Sequence, residues 1–236
     1  MAIAPRSAAE LLREIPAFKG LASTDLRELS DTGEVRRVLR SANLFSEGQL
    51  GEGLFIVQTG EIKVIKGGKD GREQILYLAR AGRPIVEGMR FDGGAYPASA
   101  VAMRSSTAIL LPNETLSAIG ERAPSMLRAV VDLRAQRADK NLRLVGDLSL
   151  RTVPARLASF LCALAEARKS RGEEATHLMR DLTTETVAGR LGTVREEVSR
   201  GLAYLEREGA LKVTPDVIEI VDPARLETIA YGSRKH

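Results

Sequence analysis

Arg195, Glu196, Ser199 and Arg200 stand together in the stretch TVREEVSRGLAYLEREG. Their side chains offer two guanidinium forks, a carboxylate and a hydroxyl. These groups distinguish base edges in a DNA major groove: Arg pairs with guanine O6 and N7, Glu accepts from cytosine N4, and Ser serves either partner. At about 100° per residue the four fall on one side of a helix, while Val194, Val198, Leu202 and Leu205 fall on the other. They occupy the first two turns, and a recognition helix reads with its N-terminal residues. A solvated charged face is the plainer reading of any Arg/Glu helix. Here the spacing of the flanking residues argues against it.

Those flanks predict two short helices joined by a tight turn. Thr183 is placed to cap a first helix over about Thr184–Leu191, and Gly192 suits the turn because it tolerates positive φ. Thr193 is placed to cap the second helix, which continues to about Arg207 before Gly209 ends it. Val187 and Leu191 give the first helix an apolar face for the second to dock on. Downstream, LKVTPDVIEIVD reads as a small hairpin turning at Pro215-Asp216, and Asp222-Pro223 starts a last short helix, ARLETIA. Upstream, Thr152 can cap a helix whose apolar face is Val153, Leu157, Phe160, Leu161 and Leu164. Asp147–Thr152 reads as a hinge, and Lys169–Ala175 as a polar loop.

The rest of the chain changes period twice. Ser7 can cap AAELLREI, and Ser23 or Thr24 can cap DLRELS. From Val35 to Pro112 the chain reads as about eight short strands broken by Gly-rich turns, with hairpin signals at Gly60-Glu61 and Asp70-Gly71. A long helix follows from Pro124 to about Leu148. Along it Leu127, Val131, Ala135, Ala138, Leu142 and Val145 recur at spacings of four and three, the seam of a two-stranded coiled coil. Packing on the chain's own β domain is the competing reading. A seam between two copies is preferred, because a reader with one helix–turn–helix covers half a site and two-fold dimers reading near-palindromes complete it.

Composition narrows the function classes. A chain of 236 residues suggests two compact units, and 44% hydrophobic residues support a core in each. The net charge of +4 is a weak basic bias, so only local placement marks a DNA-binding part. Cys162 is the single cysteine, which rules out an internal disulfide and an iron–sulfur cluster on four cysteines. It reads as a small buried filler. The two histidines, His177 in the loop before the helix–turn–helix and His236 at the tail, form no metal site. No nucleophile elbow, P-loop or HExxH motif is present, so a binding protein is expected rather than an enzyme. No apolar run approaches about 20 residues, and the N-terminal stretch is too charged for a secretory signal. The expectation is a cytoplasmic protein without membrane contact.

The order of elements resembles the cyclic-AMP receptor protein/fumarate-nitrate reduction regulator (CRP/FNR) superfamily of bacterial transcription factors. The resemblance implies an α+β fold with a β-roll sensor domain over residues 1–123, a dimerisation helix over 124–148 and a winged helix–turn–helix over 149–236. The family's R-E-x-x-x-R motif falls on Arg195, Glu196 and Arg200, and Ser199 resembles a serine that reads T, which implies inverted TTG- or GTGA-like half-sites. Thr183 and Thr193 join the DNA-facing set, Thr183 at a position that touches phosphate. Double-stranded promoter DNA, a second copy of the chain and RNA polymerase are the implied partners.

The sensor departs from the family's cyclic-nucleotide pattern. A Gly-Glu-Leu segment and an Arg-Ser/Thr-Ala segment form its ribose and phosphate cassette. Here Glu87 is kept, Val86 replaces the glycine, Pro97 stands where the arginine should be, and Ala98 replaces the hydroxyl. Asn141 and Leu142 take the positions that reach the adenine. Cyclic AMP is therefore disfavoured. The Tyr96-Pro97 pair is closer to the nitrogen-oxide-responsive branches, some of which carry haem, although no histidine lies in the β-roll. The effector-pocket candidates are Glu87, Tyr96, Pro97, Asn141 and Leu142, against a surface or hairpin carboxylate as the plainer reading of Glu87 and a packed strand-end aromatic as that of Tyr96. Arg90 and Arg104 are candidate counter-charges for an anionic effector, against a solvated surface role. A haem- or nitric-oxide-responsive regulator, or a cyclic-AMP-responsive one with a degenerate cassette, remains the alternative. The cofactor and effector are left open.

Overall fold

The computed structural model describes residues 7–68, 71–89, 93–179 and 183–232. Asp70, Arg90 and His236 lie outside the described residues. The chain divides into two compact units, one of residues 1–71 and 76–142, the other of residues 72–75 and 143–236.

The first unit opens with α1 (Ala8–Glu14), a 3-10 turn (Pro16–Phe18) and α2 (Ser23–Asp31). Ser7 caps α1 in a reciprocal box: its Oγ accepts from the Glu10 N–H at 3.3 Å, and the Ser7 N–H donates to Glu10 Oε2 at 2.7 Å. The expected cap of α2 does not form. Ser23 is already helical, and Ala22 holds the cap position without a side-chain bond.

Eight strands follow among the described residues: β1 (Glu34–Val38), β2 (Asn43–Phe45), β3 (Gly53–Thr59), β4 (Glu61–Gly67), β5 (Glu73–Arg80), β6 (Pro84–Ile85), β7 (Ser99–Ala102) and β8 (Ser106–Pro112). They form two four-stranded sheets, ordered β1-β8-β3-β6 and β2-β7-β4-β5. The described pairings are antiparallel. The inner faces bury Phe45, Phe55, Val57, Ile62, Val64, Ala100 and Leu110 between them, the β-roll that the family resemblance implies. At the β3–β4 turn Gly60 has φ 87°, and a Cβ there would lie 2.2 Å from Ser106 Oγ, so the turn requires glycine.

A second core joins β3 and β8 to the helices. Leu11, Leu12, Phe18 and Leu29 meet Leu54, Ile56, Ile109 and Leu111, and beyond them Leu116 and Ile119 of α3 (Asn113–Arg122). That helix escaped the sequence reading: it buries only two large side chains, one turn apart, and carries Gly120 inside. The long helix α4 spans Pro124–Leu150, 27 residues. Met126, Ala129, Val130 and Leu133 anchor its first half in this core. The helix runs through Asp147 to Leu150 without a break, so of the segment read as a hinge only Arg151 and Thr152 are non-helical.

The second unit contains α5 (Val153–Lys169), β9 (His177–Met179), α6 (Thr184–Leu191), α7 (Arg195–Arg207), β10 (Leu211–Val213), β11 (Val217–Ile220) and α8 (Pro223–Tyr231). Thr152 caps α5 through the Ala155 N–H, and Asp222 caps α8 through the Arg225 N–H. β10 and β11 form the predicted hairpin. β9 adds an unpredicted third strand, antiparallel to β11, with His177 opposite Glu219. His177 is therefore a strand residue rather than a loop residue. Among the described residues no helix is long and apolar enough to cross a membrane, and no group of three or more His, Cys, Asp or Glu could hold a metal ion.

Candidate nucleic-acid interface

The helix–turn–helix is built by local rules at each joint. Thr183 Oγ1 accepts from the Thr186 N–H at 3.1 Å and closes the start of α6. Gly192 ends that helix in the left-handed region, φ 61° and ψ 45°, where a side chain would be strained. The Thr193 N–H donates to Ala188 O at 3.0 Å. Thr193 does not cap α7: the cap position is Val194, which offers no oxygen, and Thr193 lies one residue too early. Val194 accordingly leaves the predicted apolar side and is 38% exposed. Val198, Leu202 and Leu205 keep to it and are buried with Ala188 and Leu191 of α6 and Leu157, Ala158 and Leu161 of α5. At Gly201 an added Cβ would sit 3.0 Å from Leu157 Cδ2, so α5 and α7 approach closely there.

With that face buried, Arg195, Glu196, Ser199 and Arg200 all point outward and are exposed. Three of them have intramolecular partners. Arg195 Nη2 lies 2.7 Å from Glu185 Oε2 at the start of α6, Arg200 Nη2 lies 2.5 Å from Glu197 Oε1 one turn earlier, and Ser199 Oγ donates to Arg195 O at 3.2 Å. Glu185 and Glu197 were not singled out in the sequence. The i,i+3 spacing of Glu197 and Arg200 is the signal that could have found the second pair. Exposed pairs of this kind are worth at most about 1 kcal/mol, so either guanidinium can leave its carboxylate for a base edge at small cost. The acidic first turn also suits the positive end of the α7 dipole. The site therefore presents cations, one carboxylate and a hydroxyl on one helix face, groups whose chemistry can pair with base edges.

On α4 two stripes separate cleanly. Met126, Ala129, Val130 and Leu133 are buried in the first unit. Leu127, Val131, Ala135, Ala138, Leu142 and Val145 are all exposed, Val131 at 63% and Leu142 at 71%. At about 100° per residue the exposed six span about 80° and face roughly opposite the buried four.

The effector-pocket candidates are dispersed. Glu87 is buried and accepts from the Tyr77 hydroxyl at 2.5 Å. Burial, reinforced by the Glu87 carboxylate, pushes the Tyr77 phenol well above its usual range and keeps it a donor. The Arg137 guanidinium carbon stands 3.4 Å from the Tyr77 ring centre. Tyr96 turns into the inter-sheet core instead of a cavity. It is 2% exposed and stacks on Phe45 with ring centres 3.9 Å apart, and its hydroxyl accepts from the Glu52 N–H at 3.1 Å. Its ring also closes over Gly88, where an added Cβ would lie 2.3 Å from Tyr96 Cε1. Pro97 is exposed, and its carbonyl accepts from Lys66 Nζ at 3.0 Å. Asn141 is half-buried, with Oδ1 lacking a donor among the described residues, and Leu142 belongs to the exposed stripe. Arg104 lies at the surface, its side chain 65% exposed, and its guanidinium is engaged by a carboxylate of the chain itself. With Arg80 it grips the buried Glu61, at 2.9 and 2.6 Å. Burial alone would raise the Glu61 pKa, but the two guanidinia outweigh it and hold the carboxyl below its usual range. Cys162 is half-buried, and burial raises its thiol pKa.

Two family models match the chain: the cyclic nucleotide-binding domain over residues 35–123 and the Crp-like helix-turn-helix domain over residues 155–229. The chain is 30% identical over 220 residues to the cyclic AMP receptor protein of Thermus thermophilus, covering 92% of this chain and 97% of that one. It is 26% identical to the CRP-like cAMP-activated global transcriptional regulator of Mycobacterium tuberculosis, again over 92% and 97%. Among solved structures, a mutant CooA from Carboxydothermus hydrogenoformans superposes with a TM-score of 0.70 at 20% identity, covering 97% of this chain and 98% of that one.

Proposed function

Because this chain belongs to the CRP/FNR superfamily of DNA-binding transcription regulators, we propose that it acts as a homodimer on inverted TTG- or GTGA-like promoter half-sites, under the control of an effector other than cyclic AMP. One observation carries the reading of the site: α7 buries Val198, Leu202 and Leu205 and leaves Arg195, Glu196, Ser199 and Arg200 outward in its first turns. Arg195 and Arg200 serve as the bidentate readers of guanine, Glu196 as the acceptor from cytosine N4, and Ser199 as the contact to a T. Thr183, at the start of α6, serves as a phosphate contact, and Thr193, in the turn, joins the DNA-facing set. The exposed stripe of α4 supports the dimer, with Ala135 and Ala138 admitting a close approach of two helices. RNA polymerase is the expected partner on the promoter, and the cytoplasm the expected place of action.

Against cyclic AMP stands the absence of an arginine at position 97. A cyclic phosphate without one forgoes a charge-assisted bidentate contact, a loss of about 1.5–3 kcal/mol. The second reading, a cyclic-AMP-responsive regulator with a degenerate cassette, is favoured by the two relatives whose names carry that nucleotide and by the retained Glu87. Fluorescence anisotropy decides between them. The full-length protein is titrated at fixed salt onto a duplex of about 26 base pairs carrying two inverted half-sites, and onto a scrambled duplex, with and without cyclic AMP. Specific binding unaffected by the nucleotide is expected. Specific binding only in its presence establishes the second reading, and equal affinity for both duplexes refutes the half-site.

A further inference from the structure

The first unit holds a cleft of about 360 Å³ walled by the end of α1, the β5–β6 segment and α4. None of Glu87, Tyr96, Pro97, Asn141 and Leu142 lines it; it adjoins the cassette through Val86 and through Tyr77, whose hydroxyl donates to Glu87. We propose that this cleft is the effector site, and that it takes a compact organic anion with two negative groups on an apolar body.

Charge, shape and placement support that assignment. Three cations line the cleft, Arg83, Arg137 and Lys140, against one carboxylate, Glu14. Arg83 and Arg137 make no ion pair among the described residues, and the buried Nε–H of Arg137 has no acceptor among them. Like charges gathered in a cleft with low-dielectric walls focus the field on an opposite charge, and two carboxylates or phosphates balance the excess. Between the cations, the Tyr77 ring, Val86 and Leu133 give an apolar floor for the body of such a ligand. The Arg137 guanidinium carbon lies 3.4 Å from that ring's centre, so this cation rests on the apolar floor. The volume falls in the usual range for small-molecule sites, about 300–1,000 Å³.

The cleft also reaches the helix that must respond. Leu133, Gln136, Arg137 and Lys140 recur at i, i+3, i+4 and i+7, one face of α4, and the exposed apolar stripe lies roughly 150° away on the same helix. A ligand gripping Arg137 and Lys140 from one side and Arg83 from the other ties α4 to the β5–β6 segment. This step rests on the dimer reading: it biases the helix whose opposite face meets the second copy, and so favours one of two dimer states.

Isothermal titration calorimetry on the full-length protein at constant ionic strength tests the site without DNA. The probe is isophthalate, a rigid dicarboxylate on an apolar ring, with inorganic phosphate as the simple-ion control. One saturable site per chain is expected, with affinity reduced about tenfold in Arg83→Gln and in Lys140→Gln and lost in Arg137→Gln. Cyclic AMP should not displace the probe. No saturable heat up to about 10 mM, or equal affinity in all three variants, overturns the proposal. So does equal binding of phosphate, which needs no apolar floor. The regulatory step is read separately, as a change in specific-duplex affinity when isophthalate is added to the wild-type protein and not to Arg137→Gln. An unchanged affinity overturns that step. Because Arg137→Gln leaves the α7 surface intact, its DNA binding without the probe shows whether the DNA reading has failed instead.

Discussion

Arg200→Ala separates base reading from every structural role of that side chain. In the folded protein Arg200 touches Glu197, with side chains 70% and 39% exposed. An exposed i,i+3 pair contributes at most about 1 kcal/mol, so thermal unfolding should move by only a few degrees. The DNA effect is larger. A bidentate arginine–guanine contact is worth about 1–3 kcal/mol per half-site, and the proposed dimer would lose it twice. The summed loss of about 2–6 kcal/mol is roughly 30-fold to more than 10⁴-fold in affinity. Anisotropy at fixed salt should show this loss on the specific duplex, little change on a scrambled one, and relaxed preference at a single base position. An equal loss on both duplexes would place Arg200 on phosphate, and an unchanged ratio would remove it from the interface. The reciprocal variant, Glu197→Gln, frees Arg200 from its intramolecular acceptor and should raise affinity by up to about 1 kcal/mol per half-site.

Leu205→Ala empties a fully buried position shared by α5 and α7 and should cost about 2–5 kcal/mol, read as a lower unfolding temperature by calorimetry. Val131→Glu with Ala135→Glu places charges on the exposed stripe of α4; sedimentation should show a monomer with unchanged helical content, and a persistent dimer would discard the seam. The Glu61 carboxyl is depressed in the folded state by Arg80 and Arg104. Its stabilising contribution is therefore present above the unfolded carboxyl pKa of about 4.3 and is lost as pH falls through the lower folded value. Glu61→Gln should remove that part of the acid dependence in denaturation curves, and an unchanged acid limb would contradict the pairing. Pro97→Arg with Ala98→Ser restores the cassette residue types yet should not confer cyclic-AMP binding by calorimetry, because the Tyr96 ring still lies against Gly88; saturable binding would show that the two residue types alone set the loss.

The parts of the fold that sequence made legible are those set by neighbours in the chain. Ser7, Thr152, Thr183 and Asp222 cap helices at the expected places because a cap needs an oxygen three residues ahead of an amide. Thr193 failed on that same geometry: whether α7 starts at residue 194 or 195 depends on the backbone at Val194, which pattern alone does not give. What stayed hidden is joined across long separations. Glu61 reads as a turn residue, yet its partners are 19 and 43 positions away. β9 has three residues and exists by pairing with β11, far downstream. Tyr96 reads more readily as a packed strand-end aromatic than as a pocket residue, but its own sequence neighbours do not name what it packs on. Phe45 supplies the ring that it stacks on.

If Arg195 and Arg200 read bases as proposed, their ion pairs bear on how the protein discriminates between DNA sequences. Arg195 and Arg200 each have an intramolecular carboxylate within reach, so a DNA acceptor must compete with Glu185 or Glu197 before it gains a guanidinium. A phosphate oxygen is met on any duplex, whereas guanine offers O6 and N7 together in the plane that a guanidinium fork matches. The carboxylates thus lower the affinity for every sequence by a similar small amount, at most about 1 kcal/mol each. The guanine contact returns more than that where the base is right. Discrimination is a difference between affinities, and a constant offset leaves that difference intact while it weakens attachment to bulk DNA. On this argument Glu197→Gln should raise non-specific binding by the same factor as specific binding. A larger gain on the scrambled duplex would mean that the pair shields phosphate contacts in particular, and a larger gain on the specific duplex that it restrains base reading.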